Sequence, residues 1–212
     1  MQIAIVLFPD FTAMDVIGPY EVLGRIPGAE LVFVAEQPGL IVSDMGSLSI
    51  AVTASLDDVP SPDVVLIGGG PGQLAQMTDG PLHRWLRSVD QTCTWMTSVC
   101  TGSQILAAAG LLKGREATTH WGALEELRSY DVTPSDKRVV VDGHYVTGAG
   151  VSAGIDMAFV LTSLIADEET AHALQLILEY APEPPFDVEH GSALTAPRQV
   201  MERVMAWACE MS

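Results

Sequence analysis

The stretch Thr94-Trp95-Met96-Thr97-Ser98-Val99-Cys100-Thr101-Gly102-Ser103 places a thiol where an apolar strand gives way to helix-forming sequence. Gly102 removes the side chain that would clash in so sharp a turn. The pattern is that of a nucleophile elbow with sulfur in place of a serine oxygen. Such a turn presents its side chain at the carboxyl edge of the sheet, where open α/β folds bind their ligands. A free cysteine titrates near about 8.5 and is mostly thiol at neutral pH. At the start of a helix the backbone amides favour the anion, so a lowered thiol pKa is expected for Cys100. The same amides, beginning with Thr101 N–H, are suited to stabilising negative charge that develops on a substrate. The alternative is an inert core thiol, because free cysteines are often buried. The glycine-supported turn favours the nucleophile. Cys93 and Cys209 have no such context and read as structural thiols.

Gly68-Gly69-Gly70-Pro71-Gly72 follows the apolar run Val64 to Ile67 and so falls at the same edge of the sheet. It lacks the GK[ST] of a phosphate loop and the GxGxxG spacing of a dinucleotide site. Two readings stay open for it: a tight loop, or a nest of amides forming the second half of an oxyanion hole. Asp15 has apolar neighbours on both sides in Ala13-Met14-Asp15-Val16-Ile17. A carboxyl group in such surroundings titrates closer to neutrality and can exchange a proton there. It is equally suited to capping a helix. His120 follows a short strand and is placed to line the same edge. His83, His144, His172 and His190 lie in surface-like contexts. No histidine pairs with a cysteine or carboxylate at zinc-ligand spacing, so no metal is expected.

These side chains need a scaffold, and the hydrophobic pattern supplies one. Ile3 to Phe8, Leu31 to Ala35, Val64 to Ile67 and Thr94 to Val99 are apolar runs suited to strands buried on both faces. Between them, Phe11 to Leu23 has helical spacing interrupted by Gly18-Pro19, which predicts a kinked or late-starting helix. Leu82 to Val89 and Gly102 to Leu112 also read as helices. Leu40 to Leu56 alternates around Met45-Gly46, a β excursion off the main sheet. Glu116 to Thr119 predicts a strand and Ala123 to Ser129 a short amphipathic helix. Asp142-Gly143-His144 is a hairpin signal between Val139 to Val141 and Tyr145 to Thr147. Helical sequence then runs from Ser152 to Tyr180 with a break near Asp167. Ala181 to Pro185 is extended, and Pro197 to Cys209 is a final helix. Strands alternating with helices predict a doubly wound parallel sheet with helices on both faces, in one α/β domain over residues 1–212.

The chain has 212 residues, 48% of them hydrophobic, which is enough for a sizeable core. Its formal net charge of −17 repels phosphate backbones, so nucleic acid is not expected as a partner and a neutral substrate is. Three cysteines, an odd number, suit reduced thiols and a cytoplasmic setting. The start MQIAIVLF reads as a strand and not a leader, and no stretch reaches the roughly 18 apolar residues of a membrane span.

Taken together, these motifs resemble the ThiJ/PfpI superfamily, which shares the flavodoxin-like fold of class I glutamine amidotransferases. The resemblance runs from Ile3 to the final helix. It is carried by DVIGPYEV at 15–22, the glycine run, SVCTG at 98–102, ATTHW at 117–121 and TGAGVSAGID at 147–156. Within the superfamily the set is most similar to the isonitrile hydratases. The resemblance implies Cys100 as nucleophile, Asp15 as the acid/base facing it, and Gly69, Gly70, His120 and Trp121 around the substrate. It also implies a homodimer and no cofactor. Thr101 stands where the protease-like and deglycase-like branches carry His, which disfavours a Cys-His dyad. The expected reaction is hydration of R–N≡C to an N-substituted formamide through a thioimidate on Cys100. The alternatives are a glyoxalase- or deglycase-like enzyme acting on α-oxoaldehydes, and a redox-sensing or chaperone-like dimer using the same cysteine.

Overall fold

The computed structural model describes residues 1–186 and 196–210. In chain order the first half contains β1 (Gln2–Val6), α1 (Ala13–Leu23), β2 (Glu30–Ala35), β3 (Gly39–Val42), β4 (Ser49–Val52), β5 (Ala54–Ser55), β6 (Val64–Ile67), α2 (Pro81–Val89), β7 (Trp95–Val99) and α3 (Gly102–Ala108). The second half contains β8 (Glu116–Ala117), β9 (Thr133–Pro134), β10 (Val139–Asp142), β11 (Tyr145–Gly148), α4 (Ala153–Ile165), α5 (Glu168–Ile177) and α6 (Arg198–Glu210).

One seven-stranded sheet runs in the order β10-β11-β7-β6-β1-β2-β5, and every pairing is parallel except β10 with β11. Its centre, β2-β1-β6-β7-β11, is the flavodoxin-like winding, with the switch in strand order between β1 and β6. The central strands are buried because they are covered on both faces: all of β6 and the last four residues of β1 and of β7 are buried. Continuous Val, Ile and Leu runs are what such strands require. Helices α1, α4 and α5 pack in succession as one layer, and α2 packs on α3 in another. Hairpin β3–β4 stands apart as its own two-stranded sheet, as the alternation at Leu40 to Leu56 predicts. Among the described residues no helix is long and apolar enough to cross a membrane.

Helix α1 starts at Ala13 and keeps Pro19 in its interior. Pro19 has no N–H to give to the Asp15 carbonyl four residues back, which accounts for the interruption seen in the sequence. The break near Asp167 is confirmed: α4 ends at Ile165, and the Asp167 carboxylate accepts the Thr170 amide at the start of α5.

Several elements differ from expectation. The Gly102 helix ends at Ala108, and the 109–112 segment is a series of turns. The strand over Glu116 to Thr119 shrinks to two residues that pair with β9 outside the main sheet, because Thr118 and Thr119 are drawn into side-chain contacts with the sheet edge. In place of an α-helix at Ala123 to Ser129 there are 3-10 turns at Trp121–Ala123 and Glu125–Tyr130. His83 is not a surface residue: it is fully buried, with Nε2 2.7 Å from the Gln76 carbonyl. His144 is half-buried, whereas His172 is exposed as expected. His190 and the side chain of Cys209 lie outside the described residues.

Candidate active site

Three segments meet at the carboxyl edge of the sheet: the first turn of α1 after β1, the glycine run after β6, and the turn after β7. Each supplies one part of the site.

The turn after β7 is an elbow. Cys100 has φ +57°, the left-handed region that side chains other than glycine rarely adopt. Its backbone is fixed on both sides. The amide donates to the carbonyls of Gly148 and Ala149, each at 3.1 Å, and the carbonyl accepts the Thr119 hydroxyl at 2.7 Å. Gly102 allows the turn to close, since a Cβ there would lie 2.3 Å from the Ile67 carbonyl oxygen. The turn therefore has the strained geometry of an elbow.

Asp15 is fully buried and points at this elbow. Its Oδ2 accepts the Gly69 amide at 2.8 Å, and its carboxyl group interacts directly with the Cys100 thiol. Oδ1 has no hydrogen-bond partner among the described protein groups. The helix-cap alternative is excluded, because the N-cap of α1 is Thr12. Burial raises the Asp15 pKa to about 7; the Gly69 amide and the thiol pull it back down, and the nearby charge of Asp44 pushes it up again.

Cys100 departs from the sequence expectation. Burial, and after it the charge of Asp15, hold the thiol above its ordinary range. The Thr101 amide and hydroxyl both bond the sulfur and favour the anion, but they do not outweigh burial. The resting group is thus a thiol beside a carboxyl that titrates near neutrality.

The glycine run also differs from the oxyanion expectation. The Gly69 amide is committed to Asp15 and the Gly70 amide to Thr101 Oγ1, at 3.1 Å. A Cβ on Gly69 would sit 2.4 Å from Thr101 Oγ1 and 2.5 Å from Thr101 N, so only glycine permits this approach. The loop holds Asp15 and Thr101, and neither amide is left free as an anion nest.

Thr119 ties the segment carrying His120 and Trp121 to the elbow. The His120 Nδ1 accepts the Gly122 amide at 3.2 Å, and the imidazole packs obliquely against Trp121, with ring centroids 5.2 Å apart. Burial lowers the His120 pKa, so this ring is neutral at neutral pH. Trp121 is 40% exposed and stands at the rim.

Two groups of residues escaped the sequence reading. Asp44, in the turn of hairpin β3–β4, accepts the Thr12 hydroxyl at 2.7 Å and brings a second carboxylate near Asp15. Nothing in the local sequence marks this return of the hairpin onto α1. The second group is remote from the elbow: Asp90, Cys93 and His144 have donor atoms all within 4.8 Å of one another. No ligand spacing is visible in the sequence because His144 comes from a hairpin distant in the chain. The three donors come together only in the fold.

A flavodoxin-like sheet with a strained cysteine elbow facing a buried carboxylate defines the ThiJ/PfpI class. The chain belongs to the DJ-1/PfpI family, whose model matches residues 1–164. It is 41% identical over 202 residues to the isonitrile hydratase of Pseudomonas putida, which covers 95% of this chain and 87% of that protein. It is 29% identical over 151 residues to deglycase PfpI of Pyrococcus furiosus, covering 69% of this chain and 89% of that protein. The crystal structure of a ThiJ/PfpI family protein from Pseudomonas syringae superposes with a TM-score of 0.92 at 37% identity, covering 99% of this chain and 86% of that one.

Proposed function

We propose that the protein is an isonitrile hydratase in which Cys100 is the nucleophile and Asp15 the acid/base. The observation that carries this reading is the pairing of a buried thiol with a carboxyl raised to about 7 and held by the Gly69 amide. Attack on a carbonyl places negative charge on oxygen and calls for fixed donors. Attack on the terminal carbon of R–N≡C places it on carbon, which must be protonated. A proton carrier suits the second reaction better than the first.

The steps balance without an oxidant or reductant. Asp15 takes the Cys100 proton, the thiolate bonds to the isonitrile carbon, and Asp15 returns the proton to that carbon, giving R–N=CH–S–Cys100. The carboxylate then accepts a proton from water as its oxygen adds to the same carbon, and passes that proton to the nitrogen. Collapse of R–NH–CH(OH)–S–Cys100 breaks the C–S bond, releases R–NH–CHO and regenerates the thiol. The Thr101 hydroxyl and amide support the sulfur when it carries charge, during attack and again on departure. A small uncharged substrate suits the net charge of −17.

The α-oxoaldehyde alternative is best served by a cationic group at the substrate oxygen, and His120, its pKa lowered by burial and its Nδ1 engaged by the Gly122 amide, offers only a neutral ring there. The 41% identity to a protein named isonitrile hydratase supports the same choice. The test is formation of N-cyclohexylformamide from cyclohexyl isonitrile. Turnover by the native protein, abolished in Cys100→Ala and strongly reduced in Asp15→Asn, is the expected result. Absence of turnover by native protein with an intact, alkylatable Cys100 overturns the reading.

A further inference from the structure

We propose that Asp90, Cys93 and His144 form a binding site for a zinc-like divalent transition ion at the amino edge of the sheet, at the opposite end from Cys100. Asp90 closes the C-terminus of α2, Cys93 lies in the turn that feeds β7, and His144 sits in the turn between β10 and β11. These three places adjoin because β11 pairs with β7 in parallel from its first residue, Tyr145 opposite Met96. The Met96 amide also donates to the His144 carbonyl at 2.9 Å.

The donor set points to the class of ion. Magnesium and calcium choose oxygen ligands, whereas a thiolate, an imidazole and a carboxylate together are a zinc set. The three donor atoms already lie within 4.8 Å of one another. Tetrahedral bonds of about 2.0–2.3 Å place donors roughly 3.3–3.8 Å apart, so closure needs movement on the order of 1 Å. Asp90 Oδ1 and His144 Nε2 stand 2.9 Å apart and separate slightly to admit the ion. A supporting shell is in place: the Tyr145 hydroxyl donates to Asp90 Oδ1 at 2.7 Å, and the His144 ring packs on the Tyr145 ring at 4.2 Å between centroids. Outer groups of this kind orient the ligands of metal sites. A nearby cation, Arg115 over the Tyr145 ring, is paired with Asp142 at 3.2 Å.

Binding is a proton exchange. The imidazole proton moves from Nε2 to Nδ1, the Cys93 thiol proton passes to solvent, and the ion forms bonds to Nε2, the sulfur and a carboxylate oxygen. Water completes the tetrahedron. The ion clips the β10–β11 turn to the end of α2, and this does not depend on which reaction Cys100 performs.

The test uses the full chain stripped of metal and titrated with Co(II), followed by displacement with Zn(II). The expected result is one equivalent bound with a thiolate-to-cobalt charge-transfer band. That band persists in Cys100→Ala, disappears in Cys93→Ala and His144→Gln, and needs about tenfold more cobalt in Tyr145→Phe. Because the core variants can misfold, the native protein carries a parallel measurement. Zinc slows alkylation of Cys93 but not of Cys100, read by peptide mass spectrometry. Absence of the band, a band lost only in Cys100→Ala, or Cys93 alkylation unchanged by zinc would each show that the trio is a hydrogen-bonded clasp and not a metal site.

Discussion

The Gly69 amide donates to Oδ2 of Asp15 at 2.8 Å, while Gly69 itself lies against the backbone of Thr101. One residue therefore sets both the position of Asp15 and its distance from the elbow. Gly69→Ala brings a Cβ within 2.4 Å of Thr101 Oγ1 and forces the loop and the elbow apart. A displacement on the order of 1 Å at the reacting groups is worth about a hundredfold in rate. The expectation is a fall of about that size in kcat/KM with the fold retained, measured by steady-state kinetics beside circular dichroism. Unchanged kinetics would remove Gly69 from the positioning role.

The pH dependence of activity follows from the pair. Asp15 must be ionised to take the thiol proton, and its pKa is raised to about 7. The Cys100 thiol is held above its ordinary range and stays protonated throughout this window. kcat/KM should therefore rise with pH through about 7 and then level off, a macroscopic ionisation of the pair. In Asp15→Asn this limb should disappear from whatever activity survives. A limb that persists unchanged in Asp15→Asn would assign the ionisation to another group.

Stability should move in the opposite sense. Between the usual aspartate value and about 7 the unfolded chain releases the Asp15 proton while the native protein retains it. The native state is therefore favoured below this window and loses stability as pH rises through it. A shift of this size corresponds to at most about 4 kcal/mol. Asp15→Asn removes the buried charge, so its Tm should exceed that of the native protein at pH 8 and match it near pH 4. A native advantage at pH 8 would mean that the ionised carboxylate is better solvated than its burial implies.

The central strands and the elbow were legible in the sequence because each is a local pattern. Val64 to Ile67 and Trp95 to Val99 are apolar runs of strand length, and the cysteine turn is bracketed by Val99 and Gly102. The Asp15 pKa was legible in direction from its apolar neighbours. What escaped depends on partners distant in the chain. The glycine amides look free until Asp15 and Thr101 are seen to accept them. The elbow thiol looks activated until its burial beside a carboxyl is known. Thr118 and Thr119 read as strand, but their hydrogen bonds run to Thr147 and to the Cys100 carbonyl. His83 looks like a surface residue because it is polar and stands beside Arg84, yet α2 turns that face inward.

Thr101 offers a measure of how much the residue after the nucleophile contributes. Its hydroxyl accepts the Gly70 amide and donates to the Cys100 sulfur, linking the loop to the nucleophile. Thr101→Val keeps the shape and removes both bonds. A hydrogen bond is worth about 1 kcal/mol, so kcat should fall about fivefold with little change in KM. Thr101→Ser keeps the hydroxyl and should restore most of the rate. Equal losses in Val and Ser would point to the methyl group and packing instead.

Strain at the elbow can be measured apart from chemistry. Cys100 is held at φ +57° by bonds to its amide and its carbonyl, so any side chain at this position carries the left-handed penalty. Alanine keeps the Cβ and the penalty, and glycine removes both. Elsewhere glycine destabilises relative to alanine, through the greater freedom of its unfolded chain. At position 100 the order should invert, with Cys100→Gly about 1 kcal/mol more stable than Cys100→Ala in chemical denaturation. The comparison is made between two inactive proteins, so catalysis does not enter it. If alanine proves the more stable of the two, the backbone at the elbow is not strained, and the sharp turn reflects packing at Gly102 alone.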